Sequence, residues 1–499
     1  MVNVAVNPGY DADIIIAGAG PAGAAAACHL RRLGASIILL DQACFPRDKV
    51  CGDFVGPAAL VELDALGISQ ANGFAQTHMG HRGAFYVDGE ELIVKTFPVI
   101  DGLPPYCRVI PRFILDNYII QSARSAGAQV REGVRLTGFN VEPGAVTVIA
   151  ASAYGQLTLR GRVLIGADGS ASTVARLTRK GAPLRCDRLI ASRAYFRNVE
   201  GPDDRLDVYF SSACFPGYCW LFPAGNGEAN VGLGVPVETF PAYDRTPAAI
   251  LDQMMRGDAA LSRRLNNGRM HGKITGWPLI IFNHEQPVVF DRVVLIGDAA
   301  GLINPLNGEG IQYALMSARW ASEILAPCLR DNDFSAPALA PFSKRVEDAL
   351  RHDMALSRLI LQFASNRALT PVCLGVMKRL ASRARKDSNF ADTLQGIFSG
   401  LIPTREAYKV IGGTIDEALQ ALVSGMVMTA LKGPRHLARS GAAGVQLAFQ
   451  FAYDTMRNPA AFAEWLKTTA NGTIELGAQV SRNGARSETE NDMAYRSPP

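Results

Sequence analysis

Residues whose types and spacing could do chemistry sit in three separated places. The first is Gly18-Ala19-Gly20-Pro21-Ala22-Gly23 together with Asp41, 18 positions beyond the last of these glycines. A glycine at 18 permits a tight turn, one at 20 lets backbone approach a diphosphate, and one at 23 lets a helix lie close on a strand. The start of that helix offers free N–H groups to phosphate oxygens, and an acid at 41 stands where ribose hydroxyls would be held. The second place is Gly166-Ala167-Asp168-Gly169, and the third is Gly297-Asp298 ahead of a glycine-punctuated loop, Gly301 to Gly310. An aspartate at the carboxyl end of an apolar strand lies where open α/β sheets bind ligands, and it can accept hydrogen bonds from a polyol. A helix starting at Gly310 and Ile311 would aim N–H groups and a partial positive charge at whatever docks there.

Reactive and aromatic side chains add to these. Directly after Asp41, the segment Cys44 to Asp53 carries Arg47, Lys49, Cys51 and Gly52. It reads either as a loop laid along a cofactor or as a solvated loop with one buried cysteine, and the residues alone do not choose. Arg108, Arg112 and Asp116, four apart, read as one helix face, where an arginine could reach a phosphate or form a surface ion pair. In Phe215 to Pro223, the aromatics Tyr218, Trp220 and Phe222 stand between prolines, followed by glycines that include Gly232. They could wall an apolar pocket for a flat ring, or simply fill the core of a hairpin. The nine cysteines show no metal-type pairing, which suggests reduced thiols, a cytoplasmic chain and no metal site.

These residues need elements to position them. Ile14 to Ala17 reads as a buried parallel strand, Ala24 to Leu33 as a helix that Gly34 ends, and Ser36 to Leu40 as a second strand closing on Asp41. That is one βαβ unit, and its terminal acid favours FAD or NAD over NADP. A helix is expected over 57–68, a hairpin turning at Asp88-Gly89 over 80–98, and an extended stretch becoming a helix over 107–126. Further strands are expected within 129–150 and 156–164, and a block of short strands over 185–285. Asp291 to Ala300 reads as a strand ending in Gly-Asp, and Ile311 to Ala326 as a helix that Pro327 stops. Beyond 335 the pattern is helical. Met354 to Lys386 carries an apolar stripe (Leu356, Leu359, Ile360, Phe363, Leu374, Met377, Leu380) and a basic end. Such a stretch suits an anionic membrane surface or, more commonly, a helix packed on its own domain with a solvated end. Val445 to Arg457 reads as a helix, Asn458-Pro459 interrupts it before a run to Thr468, and a disordered tail is expected after 480.

With 499 residues the chain exceeds one core, so two or three subdomains are expected. A net charge of +4 is too mild to argue for nucleic acid. Hydrophobic content of 48% with 19% charged residues describes a globular protein with a large core. No apolar run is long enough for a transmembrane span, and the N-terminus lacks the pattern of a signal peptide.

Taken together, the three glycine-aspartate motifs resemble the FAD-dependent monooxygenase and geranylgeranyl reductase superfamily (p-hydroxybenzoate hydroxylase-like) over roughly residues 11 to 330. Pro46-Arg47-x-Lys49-x-Cys51-Gly52 and Tyr218-x-Trp220-x-Phe222-Pro223 are similar to the signatures of its geranylgeranyl reductase branch. The resemblance implies an α/β fold: a Rossmann-like FAD-binding domain of the glutathione reductase type, an inserted mixed β-sheet substrate domain and a C-terminal helical region. Expected boundaries are 11–184 for the first FAD-binding part (with a hairpin inserted near 80–107), 185–285 for the substrate domain and 286–330 for the last FAD-binding part. The helical region would span 331–480, with a tail over 481–499.

By the same resemblance, Gly18, Gly20, Gly23 and Asp41 would hold the dinucleotide end of FAD, and Arg47, Lys49, Cys51, Gly52 and Arg112 would line the cofactor. Asp168 and Gly169 would lie near its linking segment. Gly297 and Asp298 would meet the ribityl chain, and Pro305, Gly308, Gly310 and Ile311 would face the isoalloxazine. Tyr218, Trp220, Phe222 and Gly232 would form the substrate pocket, with Cys51 and Tyr218 as acids. The implied activity is reduction of carbon–carbon double bonds of a prenyl-type or other hydrophobic substrate by hydride from reduced flavin. The alternatives are a monooxygenase or halogenase that activates oxygen at flavin C4a, and a non-redox flavin-binding cyclase. Halogenase relatives usually carry Trp-x-Trp-x-Ile-Pro and a catalytic lysine; here Tyr218 and Phe222 depart from that phrase, and Lys95 is in the broad region of the lysine. Only one full dinucleotide fingerprint is present, so electrons would come from NAD(P)H in transient contact, a ferredoxin or a separate flavin reductase. Peripheral membrane contact stays open.

Overall fold

The structure is a computed structural model that describes residues 9–181, 183–402, 459–460, 462–470 and 473. Ala12–Ala17 is buried at every position and pairs in parallel with Ile37–Asp41 on one side and Gly155–Gly166 on the other. A strand without a water-facing side belongs in the middle of a sheet covered on both faces, and that is its place. The parallel set continues to Gln129–Glu132 and to Val293–Leu295. An antiparallel meander through Arg135–Glu142 and Ala145–Ser152 returns to Gly155–Gly166, giving an eight-stranded sheet. Between the first two strands lies the helix Pro21–Arg32, flanked by Arg112–Ser125 and Ile311–Asp331. Its entry turn admits only glycine at two points. Gly18 has φ of 97°, and a methyl group on Gly23 would collide with the Gly18 carbonyl. The architecture is the Rossmann-like, glutathione-reductase-type α/β fold expected from the sequence.

The second sheet is mixed and has seven strands, ordered Arg269–Ile280, Arg188–Arg197, Glu228–Pro236, Tyr218–Gly225, Arg205–Phe210, Arg82–Val87 and Glu90–Thr96. The hairpin at Asp88 and Gly89 forms as expected, both residues having positive φ (48° and 78°) as a tight hairpin turn requires. Its partner is distant in sequence: Arg82–Val87 runs parallel to Arg205–Phe210, so the hairpin completes the sheet of the 185–285 block. Asp207 anchors that seam. Fully buried, it accepts from Arg205 Nε at 2.7 Å, Arg264 Nη1 at 2.5 Å and the Tyr209 hydroxyl at 3.0 Å.

Three expectations are corrected. Arg108 lies in the strand Cys107–Val109, where its guanidinium holds the Thr77 hydroxyl and carbonyl; the helix begins after Pro111, so Arg108 shares no helix face with Arg112 and Asp116. Pro327 does not stop its helix, which runs from Ile311 to Asp331 and ends where Asn332 takes φ of 55°. The lost hydrogen bond is outweighed by a buried stripe, including Trp320, Leu325 and Cys328, that continues past the proline. Asp291 to Ala300 forms a strand of only three residues, Val293–Leu295, before a short helix at Gly297–Ala300.

Of the C-terminal helices, Ala336–Ala364 packs on Ile311–Asp331 and Val289–Phe290, while Thr370–Ala384 and Ser388–Phe398 pack on the hairpin strand Glu90–Thr96. Leu374, Met377 and Ala381 meet Phe85, Val87 and Phe210, and Leu380 meets Phe390. The Leu374, Met377 and Leu380 part of the stripe is therefore used inside the protein, whereas Ile360 is exposed. Residues 462–470 are helical, and Trp465 donates to the Gln362 carbonyl at 3.0 Å. The helix expected over Val445 to Arg457 and the tail after 480 lie outside the described residues. Among the described residues no helix is long and apolar enough to cross a membrane, and no group of side chains could hold a metal ion.

Replacing Asp207 by alanine would strand two largely buried guanidinium groups. Chemical denaturation is expected to show a loss of about 3–5 kcal/mol for Asp207→Ala. Arg82→Ala, which breaks the more exposed Arg82–Asp204 pair, should change stability by less than about 1 kcal/mol.

Candidate active site

One large cavity lies between the two sheets. From the parallel-sheet side it is lined by Gly20, Pro21, Ala22, Gly169, Asp298 and the loop Pro305 to Ile311. Lys49, Val50, Cys51 and Gly52 contribute from the loop after Asp41, and Arg112 from the start of its helix. The mixed sheet supplies Tyr218, Trp220 and Phe222, which share one face because strand side chains alternate. Cys219 and Leu221, between them, point into the core on the other side. Trp220 and Phe222 stack with ring centroids 6.2 Å apart.

The polar part of this cavity suits an anion joined to a polyol. Asp116, fully buried, is paired with both Arg112 (2.6 Å) and Arg47 (2.7 Å), leaving one cation in excess. The helix Pro21–Arg32 starts at Gly20 with no side-chain cap, and a Cβ built on Gly20 would meet only Arg47 Nη2, in ordinary contact at 3.6 Å. Gly310 likewise starts the helix Ile311–Asp331 without a side-chain cap. Uncapped N–H groups, a spare guanidinium and a bare glycine make a cradle for a diphosphate. Lys49 Nζ stands 3.0 Å from Asp298. Its interior place pushes Asp298 up, but Lys49, Arg112 and the Ser170 hydroxyl outweigh that and hold the carboxyl below the usual range. The residues present therefore fit FAD.

Some expected site residues lie behind the cavity wall. Asp41 accepts from the Ala19 and Ala43 N–H groups, both at 2.8 Å, and so orders the glycine turn. Asp168 receives N–H bonds from Thr173 and Val174 and a bond from the Ser172 hydroxyl, capping the next helix, while its neighbour Gly169 lines the cavity. Gly18, Gly23 and Gly297 serve close packing, Gly297 against Ala22. Gly232 is not in the lining: a methyl group there would strike the Trp220 indole, so it seats the ring, and Gly234 lines the cavity instead. Lys95 is also outside, bonded to Ser388 at 2.8 Å and paired with Asp392 at 3.2 Å.

A buried network fixes the loop that carries Cys51. Asp53, fully buried, accepts from the Tyr195 hydroxyl at 2.6 Å and from Asn230 Nδ2 at 2.8 Å. Asn230 Nδ2 also donates to the Cys51 carbonyl at 2.7 Å, and its Oδ1 accepts from the Trp220 indole N–H at 2.9 Å. Arg193 pairs with Asp48 at 2.5 Å. Burial pushes Asp53 up to about 6 against its hydrogen bonds. Burial also raises the Cys51 thiol, with Arg112 working the other way. Tyr218 is raised by burial too, and its hydroxyl donates to the Asn307 carbonyl.

Sequence reasoning missed Glu309 and the contribution of the C-terminal helices. Glu309 lines the cavity, is 8% exposed, and burial pushes it up to about 8. Leu361, Gln395 and Ser399 line the same cavity from beyond residue 335. No local motif marks those three; for Glu309 the signal was an acid enclosed by Gly308 and Gly310.

A glycine turn and two uncapped helix starts facing one cavity, continuous with an aromatic wall, define a flavoprotein oxidoreductase. An FAD binding domain matches residues 11–185, and a geranylgeranyl reductase catalytic domain matches 187–268. The chain belongs to the geranylgeranyl reductase branch of the FAD-dependent monooxygenase and reductase superfamily. Menaquinone reductase of Mycobacterium tuberculosis is 33% identical over 328 residues, covering 63% of this chain and 76% of that one. Digeranylgeranylglycerophospholipid reductase of Methanocella arvoryzae is 30% identical over 347 residues, covering 68% and 83%. The crystal structure of a geranylgeranyl bacteriochlorophyll reductase-like protein from Thermoplasma acidophilum shares the fold, with a TM-score of 0.68 at 20% identity over 81% of this chain and 99% of that one.

Because Gly20 lines the cavity and a Cβ there meets only the end of the Arg47 side chain, Gly20→Val should fold but obstruct the cradle. FAD titration of the apoprotein is expected to show affinity at least about 10-fold weaker, ~1.4 kcal/mol, with apoprotein melting unchanged.

Proposed function

We propose that this chain reduces carbon–carbon double bonds of an isoprenoid lipid with hydride from reduced FAD. The observation that carries the reading is that the cradle fitting FAD and the wall of Tyr218, Trp220 and Phe222 belong to one cavity. Phe85, Phe97, Leu206 and Leu361 extend its apolar lining, as a long hydrocarbon chain needs. The names of the relatives, reductases of a menaquinone and of a digeranylgeranyl lipid, support the same substrate class.

Bound FAD, once reduced, supplies the hydride; the protein's own residues do the rest. Gly20, Arg47, Lys49, Arg112, Gly169 and Asp298 would hold the cofactor, Asp41 and Asp168 shaping the turns that present it. Pro305, Gly308, Gly310 and Ile311 would border its ring. The aromatic wall, with Gly52 packed close against Trp220 and Phe222, would exclude water. An unconjugated prenyl double bond cannot take hydride as a stabilised anion, so a proton must arrive first or together, from an acid in the cavity. Cys51 and Tyr218 both line it. The Tyr218 hydroxyl already donates to the Asn307 carbonyl, and the Cys51 thiol, raised by burial, sits beside Arg112, so neither is a free acid.

Electrons would reach the flavin from outside, from NAD(P)H, a ferredoxin or a flavin reductase, because the chain carries one full dinucleotide fingerprint. Contact with the membrane that holds such lipids would be peripheral. The halogenase alternative lacks its lysine: Lys95 is engaged by Ser388 and Asp392, and Lys49, the lysine in the cavity lining, is engaged by Asp298.

Incubation of the FAD-loaded enzyme with a reductant and geranylgeranyl lipids should raise product mass by two hydrogens per double bond with no coupled oxygen uptake. Oxygen consumed in step with product would overturn the reductase reading. Cys51→Ser is expected to slow product formation while FAD content holds; an unchanged rate would make Cys51 structural.

A further inference from the structure

We propose that Glu309 is the proton donor to the substrate double bond, an assignment that rests on the reductase reading above. The carboxyl group sits in the cavity wall with no hydrogen-bond partner on either oxygen. Space for it is made by two glycines. Oε1 would lie 3.1 Å from a methyl carbon on Gly56, and a methyl group on Gly400 would overlap Oε2 outright. A buried carboxyl that nothing bonds costs stability unless a ligand uses it, so its retention in an apolar cavity points to chemistry.

The other ionisable groups in the lining are already committed. Arg112 is paired with Asp116, and Lys49 with Asp298, whose carboxyl those cations keep ionised. The Tyr218 hydroxyl donates to a backbone carbonyl, and Cys51 sits beside Arg112. Glu309 differs: its proton is neither shared nor opposed by a cation. The groups that interact with it electrostatically are Tyr218 from the mixed sheet, Cys107 from the small Cys107–Val109 strand and Tyr313 from the helix that follows its loop, all neutral near pH 8. With its carboxyl pushed up to about 8, Glu309 carries a proton at neutral pH and is acidic enough to release it.

The step balances without further reagents. The alkene π pair takes the proton from Glu309 at its less substituted carbon, forming one C–H bond. The tertiary carbon receives the hydride held by reduced FAD, forming the other. The alkene gains two electrons, FAD is left oxidised, and the Glu309 carboxylate regains a proton from water between turnovers.

The test is an anaerobic single turnover. Wild type, E309Q and E309D are loaded with FAD, reduced with just enough dithionite, and mixed with geranylgeranyl diphosphate or with a geranylgeranyl ether lipid in detergent micelles, whose alkenes are the only groups able to oxidise the flavin. E309Q should hold and reduce FAD like wild type yet be reoxidised by the alkene at least about 100-fold more slowly, with E309D in between. The wild-type rate should fall as pH rises through about 8, because the donor is lost, and the E309Q rate should lack that limb. Infrared difference spectra of the apoproteins should show a protonated-carboxyl band in wild type, absent from E309Q and bleached above a pH of about 8. An E309Q that matches wild type in rate and pH profile overturns the assignment alone. A wild type that neither lipid reoxidises removes the reductase reading and the assignment with it.

Discussion

Asp53 has no access to water, so its carboxylate has to be hydrogen-bonded from within, and both of its donors come from the other sheet. Tyr195 and Asn230 reach it across the gap, and Asn230 reaches on to the Cys51 carbonyl and the Trp220 indole. Asp53 also takes φ of 62°, a left-handed conformation that aspartate adopts more readily than most non-glycine residues, and its carbonyl is held by the Ile110 N–H. The loop of residues 47 to 53 is thereby pinned to the aromatic strand, with Gly52 close against Phe222 and Trp220. Without that seam the cradle on the parallel sheet and the wall on the mixed sheet would be two clefts. With it they are one cavity.

Charge is distributed along that cavity in a way that separates its tasks. Arginines at 47 and 112 share one aspartate, and Lys49 has another, so the part beside the glycine turn is electropositive and keeps Asp298 ionised. Glu309 and Tyr218, held away from those cations in apolar surroundings, are pushed toward their neutral forms. The same cavity therefore offers fixed charge to a diphosphate and uncharged acids to a hydrocarbon.

Much of this was legible in the sequence because it is local. The apolar run before Gly18, the glycine spacing, the Asp88-Gly89 turn and the alternation of Tyr218, Trp220 and Phe222 each state their own geometry. What was not legible depends on distant partners. Asp53 meets Asn230 across 177 positions, and the hairpin joins Arg205–Phe210 in parallel, a pairing no turn residue announces. Pro327 failed as a stop signal because buried contacts overrode a local rule. Glu309 reads as one more loop acid until Gly56 and Gly400, from opposite ends of the chain, are seen to close on it. The cofactor motifs were legible for the opposite reason: their constraints are backbone ones, met by glycine within a few positions.

On the function proposed above, cofactor and hydrocarbon share a single cavity, and an anaerobic titration of the oxidised holoenzyme with a geranylgeranyl lipid, followed through the flavin absorption bands, reads this out. A ring bordered by the bound chain changes its surroundings when the chain enters. A saturable perturbation of the flavin spectrum is expected as the lipid binds. Lipid binding that leaves those bands untouched, or a folded chain that stays colourless when supplied with FAD, would contradict it.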